Sequence, residues 1–428
     1  MHYLYLEKMT SLIIILFIFG YLVIALEHNF NINKAGTALL LGVLCWTVYA
    51  LYSTDTHFIG GLSHHLSDIS EILFFLLGAM TIVELIDAHD GFDIITEKIN
   101  TTNKRYLLII VSVLAFVLSA VLDNLTTAIV MATVVKKLIP EKTDRYYFLG
   151  LVIISANAGG CFSPIGDVTT TMLWVANKLT PSIIITHLFL PSLVCMLVPL
   201  AFSMIKIKGH VSSINIEKKD SSISSKEKTL IFGLGLACLL FVPVFKTITH
   251  LPPYMGILFG LGIMWVVTEL IHKRKDEFEK GKFSVVNAIT KTDVPSVLFF
   301  LGILLAVACL QEIHVLQNTA TLLNEHIGNL KIISFLIGLL SAIVDNVPLL
   351  AASMGMYDFP TNDTFWEMMA YCTGTGGSCL IIGSAAGVAV MGMENISFSW
   401  YFKNISWLAF VGYIAGFLIY NLQNSIIA

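Results

Sequence analysis

Two aspartates in matching sequence contexts are the residues of this chain that point most clearly to chemistry. Asp123 lies in the run Ser-Ala-Val-Leu-Asp-Asn that begins at Ser119, and Asp345 lies in the run Ser-Ala-Ile-Val-Asp-Asn that begins at Ser341. Both runs interrupt long apolar stretches. A charged side chain at the centre of a bilayer costs about 2.5–3.5 kcal/mol on insertion scales, so such residues are usually functional. The pair predicts a site for a cation or a proton.

Other polar side chains accompany each aspartate, and most of them offer oxygen atoms. Hard cations prefer carboxylate, amide and carbonyl oxygens. We expect no lysine or arginine among these residues, so an anionic substrate would lack its usual partner. We therefore predict that Na⁺ binds at Asp123 and Asp345. The candidate cation- and proton-binding residues are Asp123, Asn124, Asp345, Asn346, Asp167, Asn157, Ser119, Ser341, Thr169, Thr170, Ser378 and Ser384.

Buried aspartates of this kind can couple a cation to a proton. Burial disfavours the ionised form of a carboxylate, whereas a bound cation favours it. Protons and Na⁺ would then compete for one site, and movement of that site between the two membrane faces would give antiport. We expect no cofactor, and the chain has no Walker-type nucleotide-binding sequence. The alternative reading is structural, since Asp123, Asp167 and Asp345 could simply cap half-helices.

The composition indicates which elements hold these residues. Of the 428 residues, 56% are hydrophobic and 13% are charged, about half the charged fraction of a soluble domain. Apolar runs of nearly twenty residues recur, as helices that cross a hydrocarbon core about 30 Å thick require. These runs do not alternate in polarity, which excludes a transmembrane barrel. The fold class is therefore an all-α polytopic membrane protein, and its dispersed basic residues do not predict nucleic-acid binding.

The first half of the chain, residues 1–205, contains a hairpin and an interrupted helix. The apolar stretch 106–135 is too long for one upright span and has basic residues at both ends, so we predict a re-entrant hairpin with Asp123 near its tip. The stretch 146–176 contains several helix-breaking glycines and a proline, which are tolerated at membrane depth only around a buried site or a cavity. The ordinary spans are predicted at 11–26, 36–52, 71–88 and 183–204, with an outer polar loop at 53–70.

A polar cytoplasmic linker at 206–228 leads to a second half, 229–428, that repeats this plan. The second hairpin is predicted at 331–356 and the second broken helix at 366–391. Its ordinary spans are predicted at 229–245, 254–271, 294–310 and 405–422, with a polar loop at 311–329.

The basic residues fix the orientation of the two halves. In this topology all lysines and arginines except Lys8, Lys178, Lys246 and Lys331 lie on one side, which is therefore the cytoplasmic side. The halves are then two inverted-topology repeats, each of about five spans plus a re-entrant hairpin and a broken helix. Such repeats are typical of secondary transporters.

The motifs at both hairpins resemble those of the NhaD-type Na⁺/H⁺ antiporters of the ion transporter superfamily. The resemblance rests on S-A-x-x-D-N in both halves and on the run N-A-G-G-C-F-S-P-I-G-D-V-T-T from Asn157 to Thr170. It covers nearly the whole chain. It implies a scaffold domain, a transport domain with two hairpins, elevator-type movement and a homodimer. It also implies a pH-sensing role for His64 and Glu71, although histidines in a solvated loop often have none.

The predicted function is secondary active exchange of Na⁺, and of Li⁺, for H⁺ across a bacterial inner membrane, serving pH homeostasis. An alternative is a cation-coupled carrier of dicarboxylates or other anions in the same superfamily, but such carriers look like S-N-T at the hairpin tips. A remote alternative is an intramembrane aspartyl protease, because Ile165-Gly166-Asp167 resembles part of a G-x-G-D site. Pro164 replaces the first glycine of that pattern. We therefore do not predict an enzyme.

Overall fold

The computed structural model describes residues 2–25, 32–53, 58–96, 99, 101–211, 223–273 and 277–427. Within these ranges the chain is helical apart from short connections, one 3₁₀ turn at Gly377–Cys379 and one isolated bridge between Asn103 and His210. The helices up to residue 206 are α1 (His2–Ala25), α2 (Lys34–Tyr52), α3 (Phe58–Ala88), α4 (Asp93–Thr96), α5 (Lys104–Leu122), α6 (Asn124–Leu138), α7 (Lys142–Cys161), α8 (Val168–Val175) and α9 (Pro181–Lys206).

The later helices follow a similar sequence of long, paired and interrupted elements. They are α10 (Ser225–Thr249), α11 (Pro253–Ile271), α12 (Glu277–Lys282), α13 (Val285–Lys291), α14 (Val294–Glu312), α15 (Val315–His326), α16 (Leu330–Leu340), α17 (Asn346–Met356), α18 (Thr364–Gly376), α19 (Ala385–Glu394), α20 (Phe398–Asn404) and α21 (Ser406–Ile427). In the described part of the chain, eight helices are long and apolar enough to cross a membrane, namely α2, α3, α5, α9, α10, α11, α14 and α21. The prediction of an all-α polytopic membrane protein is confirmed.

The helices α5 and α6 form a hairpin around Asp123. The base of α5 is held to the start of α7 by an ion pair between Lys104 and Asp144. The end of α6 lies at the same place, because Arg145 donates a hydrogen bond to the carbonyl of Ile139 over 3.2 Å. Both ends of the hairpin therefore lie at one end of the molecule, which we call the basic face. This geometry supports the predicted re-entrant hairpin, with slightly wider bounds.

The interrupted helices α7–α8 and α18–α19 run in opposite directions through the molecule. The start of α7 and the end of α19 meet at the basic face, where Arg145 donates a hydrogen bond to Glu394 over 2.7 Å. Beyond α8, Lys178 pairs with Asp358, which lies shortly before α18, over 3.0 Å at what we call the opposite face. The two chain directions are those expected of inverted repeats.

Equivalent glycines hold each hairpin against its interrupted helix. A Cβ at Gly159 would lie 2.1 Å from the carbonyl oxygen of Phe116, and a Cβ at Gly376 would lie 1.9 Å from the carbonyl oxygen of Gly338. The backbones therefore touch in both halves, as small residues allow between membrane helices. We call the first of these regions the first crossing (residues 119–124 with 156–170) and the other the second crossing (residues 341–346 with 373–384).

Three predicted segments differ from the structure. The loop predicted at 53–70 is mostly the start of α3, and the loop predicted at 311–329 contains α15, because polar residues at helical spacing can extend an apolar helix beyond the membrane. The linker at 206–228 ends at α10, and its residues 212–222 lie outside the described part of the chain. The first helix begins at His2, nine residues before the predicted span 11–26, and the other boundaries move by a few residues.

Candidate functional site

Four half-helices begin near the centre of the molecule, and each begins at one of the predicted site residues. Asp123 accepts a hydrogen bond from the backbone N–H of Thr126 over 2.7 Å at the start of α6. The equivalent caps are Asp167 to Thr169 at α8 (2.9 Å), Asp345 to Val347 at α17 (3.3 Å) and Ser384 to Gly387 at α19 (3.2 Å). The structural role considered above is therefore present at all three aspartates.

Capping uses only one oxygen of each carboxylate, so the other remains for further chemistry. The second oxygen of Asp123 accepts a hydrogen bond from the Thr126 hydroxyl over 2.9 Å. The second oxygen of Asp167 accepts one from the Asn124 amide over 2.9 Å. Aspartate is a costly cap in a membrane because it carries a charge. Serine performs the same task at position 384 without one. The additional oxygen and its charge distinguish these three positions from Ser384.

The amide of Asn124 organises the first crossing. Its Nδ2 donates to Asp167 Oδ2 over 2.9 Å and to Asn157 Oδ1 over 3.0 Å. The amide of Asn157 in turn donates to the hydroxyls of Ser378 and Ser384, over 2.8 and 3.0 Å. All five side chains are buried. One hydrogen-bonded network therefore joins candidate residues from both halves of the chain.

The remaining candidates divide into ligand-bearing and structural residues. Thr169 donates its hydroxyl to Asp167, whereas Thr170 bonds the backbone of Ser163 and Asp167. Ser119 bonds the carbonyl of Ala156 over 2.6 Å, and Ser341 bonds the carbonyls of Gly338 and Thr373. These two serines fasten the hairpins to the interrupted helices. Asn346 is buried at the start of α17, next to Asp345.

The expectation that no basic residue belongs to the site is wrong. Lys34, at the start of α2, places its Nζ 3.5 Å from Oδ2 of Asp345, and both side chains are largely buried. The sequence does contain a signal for this contact. A lysine in the first turn of a helix opposes the helix dipole and calls for a nearby negative charge. Hydropathy assigned Lys34 to a membrane boundary and did not connect it with a hairpin more than three hundred residues away.

An acidic cavity leads from the basic face to the first crossing. It has a volume of about 650 Å³ and reaches Thr126, the hydrogen-bond partner of Asp123. A smaller cavity of about 240 Å³ is lined by Lys34, which contacts Asp345, and by Ala385, which follows Ser384. The acidic residues that line the first cavity are Glu84, Asp87, Asp90, Asp93 and Asp293.

These cavity acids are not among the site residues predicted from the sequence. Four of them recur at every third position, but Glu84 and Asp87 lie on α3, Asp90 lies in the following turn and Asp93 begins α4. Three of them are paired with lysines, Glu84 with Lys291 and both Asp90 and Asp93 with Lys228. Lys137 and Lys291 also line the cavity.

His64 and Glu71 both line a separate cavity of about 740 Å³ at the opposite face. They lie on α3 rather than in a loop. His64 is exposed and lies 3.9 Å from Asp68, while its neighbour His65 contacts Glu312 over 3.2 Å. His64 and Glu71 have no hydrogen bond to the network at the two crossings.

These features define a class of protein, the secondary transporters. Interrupted helices of opposite direction meet around the three aspartates, of which Asp167 is buried, and a cavity extends to Thr126 beside them, an arrangement typical of that class. Comparison with known proteins agrees with this classification. The family model described as "Citrate transporter" matches residues 14–374.

Curated relatives narrow the family further. The chain is 47% identical over 413 residues to "Sodium/proton antiporter 1" of Arabidopsis thaliana, covering 95% of this chain and 71% of that protein. It is 44% identical over 412 residues to "Sodium/proton antiporter 2" of the same plant, covering 95% and 98%. It is 31% identical over 449 residues to "Na(+)/H(+) antiporter NhaD" of Alkalimonas amylolytica, covering 96% and 90%. The chain belongs to the NhaD-type antiporter family of the ion transporter superfamily.

Proposed function

We propose that this protein exchanges Na⁺, and Li⁺, for H⁺ across a membrane. The observation that carries the proposal is the first crossing, where Asp123 and Asp167 lie among the oxygens of Asn157, Thr126 and Thr169. Carboxylate, amide and hydroxyl oxygens are the ligands that hard cations prefer. The names of the relatives, which are sodium/proton antiporters, support the same exchange.

The amide of Asn124 suggests how the site holds its shape without a cation. Its Nδ2 lies between Asp167 Oδ2 and Asn157 Oδ1, two oxygens that a cation could bind. We propose that Na⁺ displaces this amide and that the carboxylates lose their protons as the cation binds. Proton binding reverses the step. Because cation and proton use the same carboxylates, neither can bind fully while the other is bound, and this competition gives antiport.

Alternating access then requires the site to move relative to the scaffold. The acidic cavity reaches the first crossing from the basic face, which we propose to be cytoplasmic. The lining of the acidic cavity includes Leu125 and Thr126, which follow Asp123, whereas the lining of the cavity at the opposite face includes no residue within three positions of Asp123, Asp167 or Asp345. We therefore propose that the structure represents an inward-open state. An elevator-type displacement of the hairpins and interrupted helices would open the other side.

An anion carrier is the second candidate, because four helix N-termini converge and the matching family model bears a citrate description. Helix N-termini favour anions through their free N–H groups and their dipole. Here, however, each of the four termini already bonds a side chain of the protein, and three of those side chains are carboxylates. An added anion would meet like charge at three termini. Among the described residues, the basic contact to these carboxylates is that of Lys34 with Asp345.

Reconstituted wild-type protein provides the decisive test. Proteoliposomes carrying an imposed pH gradient are given Na⁺, Li⁺ or K⁺ outside, and the gradient is followed with a pH-sensitive dye. We expect Na⁺ and Li⁺ to dissipate the gradient, and Asp123→Asn to abolish the effect, because the neutral amide cannot exchange a proton. The matched control is Asp358→Asn, whose carboxylate is exposed at the opposite face.

The same vesicles distinguish the second candidate. Uptake of labelled citrate or succinate, driven by Na⁺ or by a proton gradient, would identify an anion carrier. A gradient that is indifferent to Na⁺ and Li⁺ from pH 6 to 10 would overturn the antiport proposal. Antiport activity that survives unchanged in Asp123→Asn would move the site away from the first hairpin.

Three further features belong to this proposal. We propose a bacterial cytoplasmic membrane, with sodium export and pH homeostasis as the physiological role, although relatives also occur in a plant. We propose a homodimer, which a mass measurement of the detergent-solubilised protein would test. We also propose that His64 and Glu71 tune the pH response from the opposite face, so that His64→Gln shifts the pH profile without changing the ions exchanged.

A further inference from the structure

Two histidines and a glutamate meet at the basic face, behind the wall of the acidic cavity. His89 directly follows α3, Glu227 lies in the first turn of α10, and His272 directly follows α11. Both histidines are almost completely buried. The cavity wall includes Asp87, Ala88 and Asp90, the neighbours of His89 along the chain. The cluster is therefore separate from the three aspartates of the transport site.

The ligand atoms of the cluster converge on one point. Nε2 of His89 lies 3.0 Å from Nε2 of His272, which lies 3.3 Å from Oε1 of Glu227. The three residues can each offer one atom such that all atoms lie within 4.8 Å of one another. Ligands at about 2.0–2.1 Å from a tetrahedral Zn²⁺ are about 3.3 Å apart, so the cluster has nearly the spacing of a metal site.

The outer contacts of His89 also suit a metal. Its Nδ1 lies 2.7 Å from the carbonyl oxygen of Leu85. A carbonyl can only accept a hydrogen bond, so Nδ1 carries the proton and Nε2 directs a lone pair at the cluster. Histidines that bind metals are usually oriented in this way, with the second ring nitrogen donating to a carbonyl or carboxylate.

The surroundings shield the cluster and fix its parts. The ring of Phe283 stacks on the imidazole of His272, with centroids 4.9 Å apart, and lies tilted against that of His89, with centroids 5.2 Å apart. Lys228, the residue after Glu227, pairs with Asp90 and Asp93 over 3.6 and 3.3 Å. These ion pairs hold the first turn of α10 against the turn that carries His89. The ligands are thus supported by neighbours, as precise sites require.

We propose that His89, Glu227 and His272 bind a transition-metal ion of the Zn²⁺ class, with a water molecule or the second glutamate oxygen completing the shell. Two imidazoles and a carboxylate suit Zn²⁺ better than Na⁺, Mg²⁺ or Ca²⁺, which prefer oxygen ligands. The ion joins the ends of α3, α10 and α11 and so stiffens the wall of the cavity through which the transported ion passes. It is not itself the transported ion.

Metal binding by the purified full-length protein tests the proposal without measuring transport. The detergent-solubilised protein is washed with EDTA and titrated with Co²⁺, whose visible absorption reports four- or five-coordination by nitrogen and oxygen. Zn²⁺ is then added to displace it. We expect one equivalent of Co²⁺ to bind and to be displaced, and Zn²⁺ to raise the unfolding temperature relative to EDTA.

Single substitutions identify the ligands. We expect His89→Gln and His272→Gln to weaken binding by about 100-fold or more, because loss of even an outer partner of a metal ligand costs about 10–100-fold. Glu227→Gln should weaken metal binding while changing the shape of the side chain little. His326→Gln is the matched control, because this exposed histidine bonds only a carbonyl of its own helix. It should bind as wild type does.

Two results would overturn the proposal. One is that the wild-type protein binds no more Co²⁺ than the His89→Gln and His272→Gln variants. If a variant does not fold, failure of the wild-type protein to bind Co²⁺ is sufficient. The other is a cluster that responds to protons only. The unfolding temperature would then depend on pH between 6 and 8 in the wild type but not in Glu227→Gln, and Zn²⁺ would not change it. The buried trio would then be a proton site.

Discussion

The two crossings have the same scaffold and different chemistry. Ser119 bonds the carbonyl of Ala156 in the first, and Ser341 bonds the carbonyl of Thr373 at the equivalent place in the second. Each hairpin tip carries Asp-Asn, and each aspartate caps the helix that follows it. The backbone frame of the site is therefore duplicated. A duplicated frame allows two similar surfaces to close around one point from opposite sides of the membrane.

The side chains that fill this frame are not duplicated. Asp167 and Asn157 of the first crossing correspond to Ser384 and Gly374 of the second when the paired glycines are aligned. Asp345 is paired with Lys34, whereas Asp123 bonds Thr126. The first crossing thus concentrates negative charge and oxygen ligands, and the second supplies hydroxyls and a carboxylate already matched by a cation. We infer that the ion is held mainly by the first half.

Single substitutions at one pair of equivalent positions, Asp167 and Ser384, test this asymmetry most strongly. Asp167→Asn removes the charge that accepts from Asn124 and Thr169, and we expect the apparent KM for Na⁺ to rise about ten- to a hundredfold, or exchange to cease. Ser384→Ala removes one neutral hydrogen bond and should raise KM by at most about fivefold. Both are measured as Na⁺-induced dissipation of a pH gradient in proteoliposomes. Equal losses in the two variants would contradict the asymmetry.

Substitution of the glycines tests a second expectation, that the backbone frames of the two crossings are equivalent. Gly159→Ala and Gly376→Ala each bring a Cβ against a backbone carbonyl oxygen of the neighbouring hairpin. A backbone contact cannot be relieved by a rotamer change, so we expect each to destabilise the protein by about 3 kcal/mol. Thermal unfolding in detergent measures the effect. The controls are Gly36→Ala and Gly233→Ala, where a Cβ would meet nothing within 4 Å.

Sequence patterns predicted what depends on local chemistry. Hydropathy located the spans, and the excess length of residues 106–135 together with the glycines and Pro164 located the hairpin and the interruption. The predicted site residues Asp123, Asp167 and Ser384 lie next to these interruptions. These patterns work because a membrane leaves few ways to satisfy the backbone.

Sequence patterns missed what depends on distant packing. Lys34 reaches Asp345 because α2 packs against α14, which in turn packs against α17 of the second hairpin, and no local rule connects those positions. The start of α3 was assigned to a loop because His64, His65 and Asp68 are polar, although a helix can continue beyond the membrane. Likewise His89, Glu227 and His272 are isolated residues in three separate segments of the sequence.

The Lys34 contact predicts a smaller change in transport. Lys34→Gln removes the positive charge from Asp345, so a cation no longer competes with a fixed ammonium group. We expect the apparent KM for Na⁺ to fall by about two- to fivefold, since partly exposed ion pairs contribute about 0.2–1 kcal/mol. Lys331→Gln, at the exposed start of α16, is the control. A KM that is the same in wild type and Lys34→Gln would show that this ion pair is structural only.

The smallest expected effect concerns the two serines that fasten the hairpins. Ser119→Ala and Ser341→Ala each remove a buried hydroxyl that bonds a backbone carbonyl of the interrupted helix. Loss of such a bond in a membrane protein costs about 0.5–1 kcal/mol. Because the serines belong to the duplicated frame, we expect similar losses of thermal stability in both variants and little change in KM. If Ser119→Ala raised the KM for Na⁺ strongly while Ser341→Ala did not, Ser119 would belong with the ligands of the first crossing, and the asymmetry would extend into the frame itself.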